Sequence, residues 1–490
     1  MDIKSKLSRI NKENFNRGIN YLKRNGVVNS YYKAVERIAR DNDEKDYMKT
    51  DVFDEIAHKE RREIEENRTF THNYKLSILV PAYETDPEYF RAMVESVIQQ
   101  TYPNWELCIA DASESEKVSY LIDTIRREYG DMANESKIRY IKLDENKGIS
   151  ENTNEALKMA TGEYISLLDH DDVLEDNALY EVMEVLEEGL SYNGVSYTNN
   201  VKVVYSDEDK INSDRTKYFD YHRKPDFNID LLRTNNYICH FLTVRRELAL
   251  SVGGFHREFD GSQDHDFILR CVENLEPSSI KHIDKVLYHW RSHESSTATN
   301  PESKMYAYDA GLRAVKAHLE RKGIKADVIN TEHLGFYRVV YKVDAEQLAD
   351  VEIISTDEFK TLSIDEIRAL DASYIMIMSD RIQPLNLGYV EELLSHLIRP
   401  EVGCVGGLVI GRNGKIESAG YRKEGDEMIP EFSNLNRHFS GYLHRAKLQR
   451  SCDGVCTDCM MVKKSALSDD KTLLKDYLVV YTPYGVFRRV

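Results

Sequence analysis

The sequence predicts an α/β protein built on a mainly parallel sheet, and three observations carry that prediction. Short apolar strands alternate with amphipathic helices between residues 74 and 172. The strands run into polar ends, Asp111 and then Asp169-His170-Asp171-Asp172, where ligands bind in sheets of this kind. The composition, 41% hydrophobic with 24 Gly and 10 Pro in 490 residues, excludes a disordered or collagen-like chain and leaves room for two or three domains.

Each element has its own signal. Lys75 to Val80 is an apolar strand stopped by Pro81. Asp86-Pro87 reads as an N-cap followed by proline at the first helical position. Phe90, Met93, Val94, Val97 and Ile98 then fall on one helical face, and Tyr102-Pro103 ends the helix. Trp105 to Ala110 is the second strand and Ile138 to Leu143 the third. Ile149 to Ala160 is a helix closed by Gly162, and Glu163 to Leu168 is the fourth strand.

Charge bounds the partners. With 66 Lys+Arg against 84 Asp+Glu the net charge is −18, which argues against general nucleic-acid binding. The segment 1–40 is nevertheless net +7. It reads as a solvated helical extension; the alternative is an arm on an anionic membrane, where each basic residue contributes about 1 kcal/mol. No run approaches the apolar length of a membrane span or signal peptide, so the expected location is cytoplasmic, with the inner membrane face open to the arm. The seven cysteines are then expected reduced, with Cys108, Cys239 and Cys271 read as small buried hydrophobes.

The order of motifs is specific. Val80-Pro81-Ala82-Tyr83 follows strand one, Asp111 strand two, Asn146-Lys147-Gly148 strand three and Asp169-x-Asp171-Asp172 strand four. Gly253-Gly254-Phe255, Gln263-Asp264-His265-Asp266 and Tyr288-His289-Trp290-Arg291-Ser292-His293 come after them. Over about residues 74–310 this resembles family 2 glycosyltransferases of the GT-A fold, including bacterial enzymes of rhamnan and O-antigen synthesis. The resemblance implies a nucleotide-sugar donor and a divalent cation, Mn²⁺ or Mg²⁺, bridging its phosphates. Asp171 and Asp172 are the metal ligands it implies, joined by His293, with Asp169 on metal or ribose. Pro81, Ala82, Tyr83, Glu84, Asp111, Lys147, Gly148, Asn152 and Arg291 are the implied nucleotide-sugar contacts. Asn146-Lys147-Gly148 also reads as a plain turn, His293 as a loop-bonding histidine, and Asp169–Asp172 as an Asp-rich turn.

Asp264 holds the place of the family's catalytic base, and direct displacement by a base-activated hydroxyl implies inversion at the anomeric carbon. Asp264 also fits an N-cap before Phe267, Ile268 and Leu269. Asp266 reads as structural or acceptor-side. Two departures stand out: Gln263 where relatives carry Glu, and Asp111-Ala112-Ser113-Glu114 without the usual glycine. Ser206-Asp207-Glu208-Asp209-Lys210 follows an apolar strand, Val201–Tyr205. It invites a second metal, but the resemblance makes it an acceptor-facing or sheet-extending segment.

The second half repeats the first faintly. Tyr374 to Ile382 lies on Tyr164 to Asp172 at an offset of 210, with Ser379, Arg381 and Ile382 where Asp169, Asp171 and Asp172 stand. The expected organisation is a helical extension at 1–73, a GT-A catalytic domain at 74–325 and a partial, degenerate GT-A-like domain at 326–490. Acceptor binding or homodimerisation is the expected role of the last. Cys452-x3-Cys456-x2-Cys459 has iron–sulfur spacing, but too little chain follows it for the barrel of such enzymes. The reading is thus an inverting, metal-dependent transferase that moves a sugar, rhamnose from dTDP or a hexose from UDP, to a polysaccharide or lipid-linked acceptor. The alternatives are a non-catalytic nucleotide-sugar-binding scaffold or a sugar nucleotidyltransferase; the latter needs a Gly-rich basic loop where Ala82-Tyr83-Glu84-Thr85 stands.

Overall fold

A computed structural model of the chain describes residues 19, 21–37, 55–188, 191–192, 195–196, 200–292 and 305–490. The described residues within 43–227 and 236–323 form one unit; those within 1–42, 228–235 and 324–490 form the other.

The first unit is built on strands β1 (Leu76–Ala82), β2 (Trp105–Asp111), β3 (Ile138–Lys142), β4 (Tyr164–Leu167) and β5 (Val173–Leu174). They are joined by β6 (Val203–Asn212), β7 (Tyr218–His222), β8 (Leu242–Arg245) and β9 (Ile280–Ser292). The sheet order is β3-β2-β1-β4-β8-β6-β9-β5, with β7 on β6. The strands β1 to β4 pair in parallel, whereas β8 runs antiparallel to both β4 and β6. Central parallel strands are covered on both faces and so read as apolar runs, which is why Leu76, Ile78, Leu79 and Val80 are all fully buried.

The helices follow the sequence signals closely. In α2 (Pro87–Ile98) the Asp86 carboxylate caps the Glu88 amide at 2.8 Å, and Phe90, Met93, Val94 and Val97 enter the core. Helix α4 (Ile149–Met159) leaves Gly148 at φ 100°, where an added Cβ would sit 2.5 Å from the Asp260 carboxylate. Gly162 does more than end this helix, because a Cβ there would lie 2.3 Å from the Lys75 carbonyl of β1.

One expectation changes. Ser206–Lys210 lies inside β6 rather than at a strand end. Its acids are each met by a histidine of a neighbouring segment: Asp207 by His282 at 2.8 Å, Glu208 by His222 and His240 at 3.1 Å, and Asp209 by His289 at 2.6 Å. The sheet-extending reading is the one observed. Residues 55–66 of the expected helical extension form α1 (Glu55–Glu66), held to Asp176 by Arg61, by Arg62 at 2.8 Å and by His58 at 2.9 Å.

The second unit carries β10 (Val351–Ser355), β11 (Tyr374–Met378), β12 (Ile382–Pro384), β13 (Val402–Ile410), β14 (Cys459–Lys463) and β15 (Leu478–Arg489). Their order is β10-β11-β14-β13-β15-β12. Each neighbouring pair has the sense of its counterpart in β1-β4-β8-β6-β9-β5: parallel, antiparallel, antiparallel, parallel, antiparallel. The half-copy is therefore visible in topology, and its sheet order contains no counterpart of β2 and β3. Register identifies what has changed inside it. Phe487, opposite Val409 and Pro384, takes the place of Tyr288, opposite Glu208 and Leu174. The buried Asp207, Glu208 and Asp209 become Leu408, Val409 and Ile410.

In the same unit, residues 228–235 supply Asp230, which is buried against Arg399 at 2.5 Å and accepts from Ser451 Oγ at 2.8 Å. The described part of the basic arm, helical over 21–37, also belongs here: Glu36 accepts from the Ser440 and Gly441 amides at 2.9 and 2.7 Å, and Tyr32 stacks on His438 at 4.3 Å. Lys4, Lys6, Arg9, Lys12 and Arg17, which carry much of the arm's charge, lie outside the described residues.

Candidate active site

A recess of about 60 Å³ opens at the carboxyl end of β1 and β4, lined by Pro81, Asp169, Cys239, His240, Gln263 and Asp264 among others. Asp264 is the second residue of α6 (Gln263–Val272), and Ser262 holds the N-cap position that the sequence also allowed Asp264. Asn236 Nδ2 donates to Asp264 Oδ2 at 2.7 Å and fixes the carboxylate. Asp169 lies across from it at the end of β4, with its Oδ2 4.0 Å from His240 Nε2. Asp266 is buried and clamped by Arg270 at 2.7 and 2.9 Å, as a structural residue should be.

The acidic cluster divides by burial. Asp172 is fully buried. Tyr288 donates its hydroxyl to Asp172 Oδ2 at 2.5 Å, and the Arg291 amide donates to Oδ1 at 2.7 Å. Burial, then the charges of Asp171 and Asp169, push its carboxyl well above the usual range. Asp172, expected as a metal ligand, thus has both carboxylate oxygens hydrogen-bonded within the protein and ties the loop down. The same Tyr288 hydroxyl accepts from the Asp169 amide at 3.3 Å, so one phenol ties both ends of the cluster.

Arg291 likewise makes its hydrogen bonds within the protein. Expected at the diphosphate, it is buried, donates to the Asp171 and Ser213 carbonyls at 2.6 and 2.8 Å, and lies 4.5 Å over the Tyr89 ring. Burial lowers its pKa from the usual guanidinium value. His293 lies outside the described residues.

The expected nucleotide contacts gather at the ends of β1 to β3 and the start of α4. Asp111 is buried and already accepts from the Ser113 amide at 2.9 Å, Tyr140 hydroxyl at 2.9 Å and Lys142 ammonium at 3.2 Å. Glu84 accepts from the Glu114 and Ser115 amides at 2.7 and 3.0 Å, bonds that hold its carboxyl below the usual range. This staple closes the β2 turn that lacks glycine. Ala82 is buried and ends β1, while Tyr83 is 45% exposed beside it. Lys147 is exposed and pairs with Glu145 at 3.3 Å. Asn152 is buried and donates to Asn146 at 2.9 Å, leaving its own Oδ1 without a partner.

Sequence reasoning missed a second layer behind Asp169. His240 stacks on Tyr288 at 4.4 Å and bonds Glu208 through Nδ1 at 3.1 Å. Burial alone would raise Glu208, but Lys224, His222 and His240 hold it well below the carboxylate range. Burial alone would lower His240, but Cys239 and Glu208 raise it well above the usual imidazole value. These partners favour the charged imidazole, whose Nε2 faces Asp169. Cys239, read as a buried hydrophobe, instead adopts φ 40° in the recess wall, 3.6 Å from His240 Nε2. The run Asn236-Tyr237-Ile238-Cys239-His240 just before β8 was the available signal.

Residues 77–252 match the family described as Glycosyl transferase family 2. The chain carries a family 2 glycosyltransferase domain. An uncharacterized protein of Sinorhizobium fredii, y4gI, is 30% identical to this chain over 455 residues, 79% of this chain and 48% of that one. The O-antigen biosynthesis protein RfbC of Myxococcus xanthus is 33% identical over 269 residues, 55% of this chain and 20% of its own length. The chain thus spans half or less of each of these curated relatives. Residues 1–349 of TarS from S. aureus align over 50% of this chain and 65% of theirs at 19% identity, with a TM-score of 0.37. Among the described residues, no helix of the chain is long and apolar enough to cross a membrane.

Proposed function

We propose that this chain is an inverting glycosyltransferase that moves a sugar from a nucleoside-diphosphate donor to a growing cell-surface polysaccharide or lipid-linked acceptor, on the cytoplasmic side of the membrane. The observation that carries the reading is that Asp264 and Asp169 line one recess at the carboxyl edge of a family 2 sheet. The names of relatives such as the O-antigen protein support the polysaccharide class. Either dTDP-rhamnose or a UDP-hexose meets this description.

Asp264 takes the proton of the acceptor hydroxyl as its oxygen attacks the anomeric carbon. The nucleoside diphosphate leaves from the opposite face, so the configuration inverts. Asn236 holds Asp264 in place for that transfer. Pro81, Ala82, Tyr83 and Gly148 shape the nucleotide pocket, and the unpartnered Asn152 Oδ1 waits for a donor there. The cluster fits a divalent cation: burial and the charges of Asp171 and Asp264 raise Asp169, and all the donors are hard oxygens. Asp169 and Asp171 would hold Mn²⁺ or Mg²⁺, which when bound stabilises the negative charge on the departing diphosphate.

The second unit has lost its acids at the corresponding strand end, and we read it as non-catalytic, serving the acceptor or a second copy. Nucleotide sugars tested with and without Mn²⁺ will identify the donor by transfer and by thermal shift. Asp264→Asn is expected to lower kcat about 10²–10⁴-fold while the nucleoside diphosphate still shifts Tm as in the wild type. Full transfer by Asp264→Asn would remove both the base assignment and the claim of a single centre.

A further inference from the structure

The cysteines of the second unit are not explained by sugar transfer. Cys452 Sγ donates to the Gly454 carbonyl at 3.1 Å, and among the described residues it joins no group of three metal-ligating atoms. Cys456 and Cys459 stand apart from it as a pair. The Cys459 amide donates to the Cys456 carbonyl at 3.2 Å across Thr457-Asp458. A turn of this kind brings its outer Cα atoms within about 7 Å, inside the reach of a disulfide. Both side chains belong to one buried cluster with Met461 and Phe487.

Their surroundings differ as a reactive pair requires. Cys456 lines a cavity of about 410 Å³ together with Thr457, Asp458, Met428 and Arg489. Cys459 is fully buried at the start of β14, opposite Met378. Arg489 pairs with Asp458 in the turn and with Glu417. The hydrogen bond from Cys459 lowers the Cys456 thiol, and the same bond and burial raise Cys459. The thiolate attacks and the protonated thiol resolves.

We propose that Cys456 and Cys459 are a redox-active dithiol, a modification site that a low-molecular-weight disulfide such as oxidised glutathione converts to an intramolecular disulfide. The Cys456 thiolate attacks one sulfur of the small disulfide and expels a thiolate, giving a mixed disulfide. Cys459 then loses its proton to solvent, attacks the Cys456 sulfur and expels the second small thiolate. Two protein thiols are oxidised, and one small disulfide is reduced to two thiols.

The test titrates the full chain with mixtures of oxidised and reduced glutathione, quenches in acid, alkylates free thiols and maps the peptides by mass. The expected result is joint loss of the Cys456 and Cys459 thiols with one midpoint, reversed by reductant, and unchanged in Cys452→Ser. Cys459→Ser is expected to stop at a glutathione adduct on Cys456, and Cys456→Ser to leave Cys459 alkylatable. Either of two wild-type results overturns the proposal: Cys456 and Cys459 staying fully alkylatable across the titration, or a zinc ion retained by the purified chain and released by Cys456→Ser.

Discussion

Tyr288 shows how much one atom decides. Its hydroxyl accepts from the Asp169 amide and donates to Asp172, while its ring carries His240. Tyr288→Phe keeps the ring and removes the bridge, leaving a buried carboxylate one donor short. The expected cost is about 1–3 kcal/mol of stability, with a loss of transferase rate exceeding any change in nucleotide affinity; denaturant melts and steady-state kinetics read both. The half-copy made this substitution together with the loss of its partner, since Phe487 takes the register place of Tyr288 and Ile382 stands where Asp172 does at the offset of 210. Removing both groups of such a pair costs far less than removing one. The Cys456–Cys459 pair belongs to this scale too, as two thiols distinguished by a hydrogen bond and a cavity wall.

At the scale of the element, β6 is the unusual strand. A strand holding Asp207, Glu208 and Asp209 in a row buries all of them, and β7, β9 and the segment before β8 each bring a histidine to meet them. His289 shows the consequence. It sits between Asp209 at 2.6 Å and Glu175 at 3.1 Å. Burial alone would lower its pKa, but those two carboxylates raise it to about 9. A raised imidazole stabilises the fold fully below its unfolded value, about 6.5, and the contribution is lost as pH climbs through 9. His289→Gln is therefore expected to melt lower than the wild type at pH 6, by up to about 3 kcal/mol, with the gap closing by pH 10. Parallel melts across that range check the sign; a gap that widens with pH would contradict it.

At the scale of the molecule, the chain makes the same sheet one and a half times. Its second unit borrows residues 228–235 from the middle of the sequence. Asp230 and Arg399 are both buried there. Burial alone would raise Asp230, but Arg399 and Arg233 hold it far below the usual carboxylate range. Arg399→Leu removes the nearer guanidinium and leaves Arg233 at 3.8 Å, and should destabilise the protein by up to about 3–5 kcal/mol. Adding Asp230→Asn should recover much of the loss, and a two-variant denaturation cycle measures the coupling. A purely additive cycle would mean that the pair does not act as one. The restart of the strand pattern after about residue 325 is readable in the sequence. The loan of 228–235 is not, since a six-residue helix, Ile229–Thr234, carries no sign of what it packs against.

The sequence by itself determined the α/β class, the strands β1 to β4, the position of Asp264 and the half-repeat at an offset of 210. Those follow from periodicity, caps and motif order, all of which are local along the chain. Only the tertiary structure decided which carboxylates face the recess and which are consumed holding it. Asp169 and Asp172 are three residues apart and look alike as letters. Asp172 meets Tyr288 and Arg291, Glu208 meets His222, Lys224 and His240, and no spacing rule places those partners. A carboxylate's chemistry is set by the donors and charges within a few ångströms of it, and here they arrive from strands 14 to 119 positions away.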